Sequence, residues 1–116
     1  MPSFPKTTST RSEAYRRAVA ALPCLRCGIE GHTQAAHGDA GKGLGLKSSD
    51  LTCYPLCGPH DGEPGCHYII GMTGTLSKAE RRWFEQESMK ETQETLRRNS
   101  EHDPRLRGLL VKLGLM

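Results

Sequence analysis

Cysteine and histidine are the residues with the clearest chemical potential in this chain of 116 residues. All five cysteines and four of the five histidines fall between Pro23 and Gly74. Cys24 and Cys27 form a C-x-x-C pair followed by glycine, a turn in which two thiolates reach one ion while backbone amides donate to the sulfurs. A redox pair is the alternative, but that motif normally opens a helix, whereas glycines follow here. The pair therefore predicts half of a tetrahedral zinc site.

The second half of that site must come from residues later in the chain. Cys57 and His60 form the pair with the tightest spacing, and Cys57 with Cys66 is the alternative, with an additional loop between them. We expect Cys53 to be a buried strand residue rather than a ligand. The odd number of cysteines favours metal ligation over disulfides, and so does the segment MPSFPKTTST, which has no apolar secretory region. This usage predicts a cytoplasmic location, that of the host cell if a phage encodes the protein.

Length and composition limit the classes of protein that this chain can be. A chain this short, with 5% aromatic residues, forms one domain with a thin core, so we expect a metal ion to add stability. No apolar run approaches the roughly 20 residues that span a bilayer, which excludes a membrane protein. The net charge of +3 permits a polyanionic partner but does not require one.

The front of the chain is predicted to be a helix that leads into the cysteine-rich segment. We expect a flexible N-terminus over 1–10 and a helix over 11–22, with a capping box that begins at Thr10. Residues 23–74 are predicted to form the zinc-bound core. Its short strands are expected near Thr33–His37 and Leu51–Leu56.

The back of the chain, 75–116, is predicted to be a helical extension. A second capping box, Ser77 with Glu80, opens a helix to about Asn99. Leu76, Ala79 and Trp83 are expected to share one face of this helix, with Phe84 beside it, and the polar stretch beyond Glu87 is expected to be solvated.

A last helix is predicted to begin at Asp103-Pro104, an N-cap followed by proline at the first helical position. Its leucines recur at helical spacing. We expect this stripe, which comprises Leu106, Leu109, Leu110 and Leu113, to pack on the domain, with a dimer or partner contact as the alternative. A monomer or a weak dimer is therefore expected.

Three features occur in a characteristic order around the cysteines: Ala36-His37, then the Gly-x-Gly-x-Lys loop that continues to Asp50, then Cys66-His67. This order resembles the HNH (ββα-metal) nuclease family, and within it the small phage and prophage nucleases related to the RecA-dependent nuclease. The resemblance covers roughly residues 20–72. It implies an α+β fold, with a small zinc-ribbon-stabilised ββα-metal (HNH) core and flanking N- and C-terminal helices.

The resemblance also implies a zinc ligand set. In the family the catalytic histidine directly follows the last zinc cysteine, and the only Cys-His pair in this chain is Cys66-His67. The implied set is therefore Cys24, Cys27, Cys57 and Cys66, with His60 as the substitute for Cys66. The long insertion between Cys57 and Cys66 departs from the usual two-residue spacing.

The resemblance further implies a role for each polar residue of the catalytic site. His37 would be the general base that takes a proton from water. His67 would hold one divalent ion, Mg²⁺ or Mn²⁺, against the scissile phosphate. Asp50 stands at the position of the family's central Asn and would orient the base, and Lys47 would contact a substrate phosphate.

One departure from the family concerns the second protein ligand of that ion. Many HNH enzymes carry Asp before the base, whereas this chain has Ala36, as the phage subgroup does. Asp39, Asp61 or water would then fill the position. Both histidines also have a purely structural interpretation. His37 would be a strand residue whose hydrogen bonds are satisfied, and His67 would be a zinc ligand at an ion with no open coordination position.

The resemblance implies a metal-dependent DNA endonuclease that hydrolyses phosphodiester bonds. Such an enzyme would act in phage or prophage recombination or in DNA processing. DNA is the expected partner, together with a recombination or phage protein. The alternative from another class is a non-catalytic zinc-ribbon module that binds nucleic acid or protein. A regulatory protein that acts through the C-terminal leucine stripe is the third interpretation.

Overall fold

The computed structural model describes residues 10–37, 49–72 and 76–116, except for the side chains at 71 and 72. The described residues form helices and one small antiparallel sheet, so the predicted α+β class is confirmed. The predicted flexible N-terminus lies outside the described residues except for Thr10. The elements are α1 (Glu13–Ala20), β1 (Thr33–Ala36), β2 (Tyr54–Cys57), α2 (Cys66–Met72), α3 (Lys78–Asn99) and α4 (Pro104–Lys112), with 3₁₀ turns at Asp50–Thr52 and Ser100–His102.

The first helix begins later than predicted, because its N-cap is Ser12 and not Thr10. The Ser12 hydroxyl accepts a hydrogen bond from the Tyr15 amide at 3.1 Å. Thr10 is used differently: its carbonyl accepts from the Asp50 amide at 2.8 Å, and the Ser12 amide donates to the Asp50 carboxylate at 2.7 Å. These bonds keep the chain extended up to Ser12, so the helix can start only at Glu13.

The two strands pair in a register that places His37 at one end of the sheet and Cys57 at the other. Ala36 lies opposite Tyr54, and Thr33 lies opposite Cys57. All of β2 is buried, whereas β1 is partly exposed. The predicted second strand begins too early, since residues from Asp50 to Thr52 form a 3₁₀ turn that the Ser49 hydroxyl caps.

The long helix α3 begins as predicted and packs differently from the prediction. Its capping box between Ser77 and Glu80 is present. However, Trp83 is 66% exposed, and the half expected to be solvated contains the buried residues Thr92 and Leu96. Leu76 and Phe84 do pack against the core, so the expectation of one shared face is wrong for Trp83. The half beyond Glu87 is solvated except for one buried stripe, Ser88, Thr92 and Leu96.

The small side chains of Ser88 and Thr92, and a local hydrogen bond between these residues, explain why this stripe of α3 can be buried. Thr92 donates its hydroxyl proton to the Ser88 carbonyl at 2.7 Å, so its burial leaves no polar atom without a partner there. Near the other end, Phe84 takes the place expected for Trp83 and meets the Tyr54 ring edge to face, with centroids 5.8 Å apart.

Two hydrophobic clusters stabilise the fold. One lies around the sheet and the four-cysteine region, and it includes Tyr54, Leu56 and Ile70. The other joins α1, α3 and α4 around Tyr15 and Leu96. The leucine stripe of α4 packs into this second cluster and Asp103 caps the helix, as predicted. Leu110 is completely buried.

Candidate functional site

Four cysteine side chains from three separate parts of the chain meet at one end of the sheet. The Sγ atoms of Cys24, Cys27, Cys57 and Cys66 all lie within 4.8 Å of one another. Three of these side chains are buried and Cys27 is exposed. Four thiolates at this spacing form a donor set of the kind that holds zinc tetrahedrally, so the cluster could hold a metal ion such as zinc.

Backbone amides position the sulfurs and donate to them. The Cys27 amide lies 3.5 Å from the Cys24 sulfur, and the Cys66 amide donates to the Cys57 sulfur at 3.2 Å. The first turn is attached to the sheet because the Leu25 amide donates to the Pro55 carbonyl at 2.9 Å. Both halves of the cluster therefore have the amide-to-sulfur bonds that orient metal-binding thiolates.

The charge environment differs among the four thiols. Burial opposes ionisation of Cys24, but hydrogen bonds from nearby backbone amides, that of Cys27 foremost, lower its pKa to about 6. Burial raises the pKa of Cys66 to about 12, against the opposing effect of Arg26, whose guanidinium donates to its sulfur at 3.4 Å. Arg26 thus places a positive charge next to the cluster, which would partly offset the negative charge of four thiolates.

Cys53 and His60 are not part of the four-cysteine cluster. Cys53 is completely buried in the helical cluster, and its thiol donates to the Asp50 carbonyl at 2.9 Å. Burial and the charge of Asp50 raise its pKa to about 12. His60 groups with His32 and Asp61 instead of with the cysteines.

His37 follows β1 directly and is bonded to a buried carboxylate. Its Nε2 atom lies 2.8 Å from Oδ1 of Asp50, whose side chain is completely buried. Burial opposes the charge on Asp50, but the hydrogen bonds from His37 and the Ser12 amide, with Arg16 nearby, lower the pKa of that carboxyl. Since an ionised carboxylate only accepts, Nε2 donates to it, so the tautomer of His37 that could act as a base has its lone pair on Nδ1.

His67 is the second residue of α2 and is oriented by a strand residue. Its Nδ1 atom lies 2.8 Å from the amide oxygen of Gln34 on β1. Because that oxygen only accepts, Nδ1 donates and Nε2 keeps a lone pair. Burial, together with the nearby charge of His37, lowers the pKa of His67 and so favours its neutral form.

Both histidines line one cavity of about 570 Å³ between the sheet, α2 and α3. Its apolar wall includes Tyr54, Leu56 and Ile70. His37 and His67, which lie on different elements, therefore share this cavity. Asp50 contacts the His37 ring but does not itself line the cavity.

Three polar residues of the cavity were not predicted from the sequence. Gln34, Arg81 and Glu85 line it with the histidines, and Arg81 pairs with Glu85 at 3.8 Å. The spacing of four residues between Arg81 and Glu85 on a capped helix was a usable signal, because it places both on one face. Gln34 carried no comparable signal, since strand pairing places it opposite Leu56 and only the packing of α2 brings His67 to it.

Of the remaining predicted residues, Lys47 and Asp39 lie outside the described residues. Asp61 belongs to the group with His32 and His60 and is exposed. Comparisons with protein-family models, with curated proteins and with solved structures found no match. Among the described residues, no helix combines the length and the apolar character needed to cross a membrane.

Proposed function

We propose that this protein is a metal-dependent DNA endonuclease of the HNH type, with a zinc ion held by the four cysteines. The observation that carries the proposal is the shared cavity of His37 and His67, in which each ring is oriented through one nitrogen and has no hydrogen bond from the other to a described residue. The substrate class, DNA, follows from the family resemblance.

The order of the elements supports this proposal. The antiparallel strands β1 and β2 are followed by the short helix α2, which packs next to β2. His37 stands at the end of the first strand and His67 at the start of the helix. A ββα-metal core is expected to have this element order, so the arrangement supports the proposal.

His37 acts as the general base in the proposed reaction. A water oxygen attacks the phosphorus, its proton passes to Nδ1 of His37, and the bond from phosphorus to the 3′-oxygen breaks. Asp50 holds the opposite nitrogen, so the ring is fixed and the positive charge that it gains is stabilised. The leaving oxygen takes a proton from solvent, which gives a 5′-phosphate and a 3′-hydroxyl.

His67 is the proposed ligand of the catalytic divalent ion. Its free Nε2 lone pair and the Glu85 carboxylate on the same cavity wall are donors that suit a divalent cation. Glu85 thereby joins Asp39 and water as a candidate for the second position, whereas Asp61 does not line the cavity. Mg²⁺ or Mn²⁺ bound there would neutralise charge on the phosphate and on the leaving oxygen.

A plasmid-nicking assay with Mg²⁺ or Mn²⁺ tests the proposed activity. We expect the wild-type protein to convert supercoiled DNA to nicked or linear forms, and His37→Ala to lower the rate about 100-fold or more, since a general base contributes on that order. His102→Ala is the matched control, because His102 is exposed on the 3₁₀ turn before α4.

The outcome of this assay separates the two classes of function. Loss of cleavage in His37→Ala, with zinc content and fold retained, supports the enzyme. Equal cleavage by the wild type and His37→Ala would exclude His37 as the base. A zinc-containing wild type that binds DNA but cleaves neither supercoiled, linear nor single-stranded DNA would instead indicate a non-catalytic zinc-ribbon module.

The zinc site has its own test, which is a pair of cysteine-to-serine variants. We expect elemental analysis to find one zinc ion per chain in the wild type and in Cys53→Ser, and Cys24→Ser to lose zinc and unfold. Both substitutions replace a buried thiol with a hydroxyl, so only ligation distinguishes them. Loss of zinc from Cys53→Ser alone would contradict the proposed ligand set.

A further inference from the structure

A second group of ligating side chains lies outside the cavity and apart from the four cysteines. The ligand atoms of His32, His60 and Asp61 are all within 4.8 Å of one another. The two imidazole rings stack with centroids 4.8 Å apart and an angle of 21° between their planes. Nδ1 of His60 is 3.3 Å from the Asp61 carboxylate.

Backbone bonds bring these three residues together. The sheet continues one step past β1 and β2, because the Gly58 amide donates to the His32 carbonyl at 2.7 Å. His60 and Glu63 then exchange two backbone bonds, of 3.1 and 2.8 Å, around Asp61 and Gly62. Positive φ angles of 49° and 79° at these two residues are those of a type I′ hairpin turn.

The proximity of the three ligand atoms points to a binding site for one divalent transition-metal ion, with His32, His60 and Asp61 as its protein ligands; the two stacked rings would turn so that their in-plane lone pairs converge on the ion. Two imidazoles and one carboxylate suit ions such as Zn²⁺, Ni²⁺ and Co²⁺ better than Mg²⁺, which prefers oxygen ligands. Three ligands also leave coordination positions for water. This donor set differs in kind from the four thiolates, so the two sites are chemically distinguishable.

The site connects two parts of the chain that otherwise meet through backbone bonds at the end of the sheet. His32 precedes β1, whereas His60 and Asp61 belong to the hairpin between β2 and α2. An ion held by all three would cross-link the hairpin to the first strand. The hairpin occupies the insertion that separates Cys57 from Cys66, so the ion would restrict the motion of the segment that leads to Cys66.

Exposure makes the site accessible to ions and suitable for mutagenesis. His32 is exposed, and the Asp61 side chain is 82% exposed, so substitution at either position removes little buried surface. Asp61→Asn is the sharpest variant, because Asn adopts the left-handed backbone of this turn readily and removes only the charge. Glu63→Gln is the matched control, a loss of charge in the same hairpin outside the ligand group.

The experiment titrates the full zinc-loaded protein with Co²⁺ while calorimetry measures binding and absorption reports the ligands. We expect one additional ion per chain that persists in His67→Ala, where the proposed catalytic ligand is absent, with weak bands of nitrogen and oxygen ligation and no new thiolate charge-transfer band. His32→Gln and Asp61→Asn should each weaken this binding about tenfold or more, and Glu63→Gln should leave it unchanged. No step requires nuclease activity, so the result is independent of the proposed function.

Two results would overturn the inference. One is a wild-type protein that takes up no ion beyond the zinc, which would leave the stacked imidazoles and the His60–Asp61 pair as structural contacts only. The other is unchanged Co²⁺ binding in both His32→Gln and Asp61→Asn. The first result includes the case in which Co²⁺ only replaces zinc, seen as a thiolate charge-transfer band that grows as zinc is released, without bands of nitrogen and oxygen ligation.

Discussion

The Nε2 atom of His37 lies 2.8 Å from Oδ1 of Asp50, and this contact joins the end of β1 to the 3₁₀ turn before β2. The same carboxylate accepts from the Ser12 amide at 2.7 Å and pairs with Arg11 and Arg16. Asp50 is therefore both the partner of the proposed base and the residue that anchors the start of α1. These two roles can be separated by experiment.

Asp50→Asn should lower the rate of DNA cleavage at neutral pH by about 10- to 100-fold. The amide cannot stabilise the charged imidazole as a carboxylate does, and it no longer specifies which ring nitrogen carries the proton. Plasmid-nicking kinetics should show the loss in kcat, with KM for DNA little changed. Glu94→Gln, an exposed change of the same type on α3, is the control. An unchanged kcat in Asp50→Asn would exclude a positioning role.

Asp50 should also contribute to stability in a pH-dependent way. Its pKa in the folded protein is lower than the ordinary value of 3.8, so the folded state binds fewer protons than the unfolded state near that pH. Its contribution is thus fully present above about pH 5 and decreases as the pH falls through the folded-state pKa.

Urea unfolding at a series of pH values from 7 to 3 measures this contribution. The free energy of unfolding should fall more steeply below about pH 4 in the wild type than in Asp50→Asn. The cysteines titrate in both proteins, so their effect cancels in the difference. Parallel curves for the two proteins would show that Asp50 does not carry the acid sensitivity.

Gly65→Ala should destabilise the protein and weaken zinc retention. Gly65 has φ of +88°, and a Cβ atom there would lie 2.7 Å from the Cys57 carbonyl oxygen and collide with the Gly58 carbonyl. Relief requires movement of the backbone next to Cys66, so we expect a loss of about 3 kcal/mol, more than the 1–2 kcal/mol of left-handed strain alone.

Gly31→Ala provides the matched control for this prediction. Gly31 has φ of +86°, but a Cβ atom would meet nothing within 4 Å. Chemical unfolding and the rate of zinc loss to a chelator should distinguish the two variants. Equal losses in both would mean that backbone strain, and not the close approach to Gly58, accounts for the effect.

Leu96→Ala should destabilise the protein by about 3 kcal/mol, whereas Trp83→Ala should change stability by less than about 1 kcal/mol. Leu96 lies in the hydrophobic cluster between α1, α3 and α4 and is only 1% exposed, whereas Trp83 is 66% exposed. Thermal unfolding of the two variants provides the measurement. A larger loss in Trp83→Ala would restore the expectation that the first half of α3 carries the apolar face.

Local signals predicted several elements well. The capping box from Ser77 to Glu80 and the Asp103-Pro104 start are both present, because a cap depends on residues within one turn of each other. The start of α1 was wrong for the opposite reason. Thr10 has the right side chain for a cap, but bonds to Asp50, about forty residues later in the chain, decide its conformation.

The sequence by itself determined which thiol, imidazole and carboxylate groups this protein has, since residue type fixes the group, whereas the fold sets the pKa of each. It also determined the α+β class and most helix boundaries, which depend on neighbouring residues. Only the tertiary structure decided that Cys66 and not His60 lies with the other cysteines, that Gln34 and Glu85 share the cavity, and that one stripe of the polar half of α3 is buried. Each of these depends on how distant segments pack, and the spacing of residues along one chain does not specify that packing.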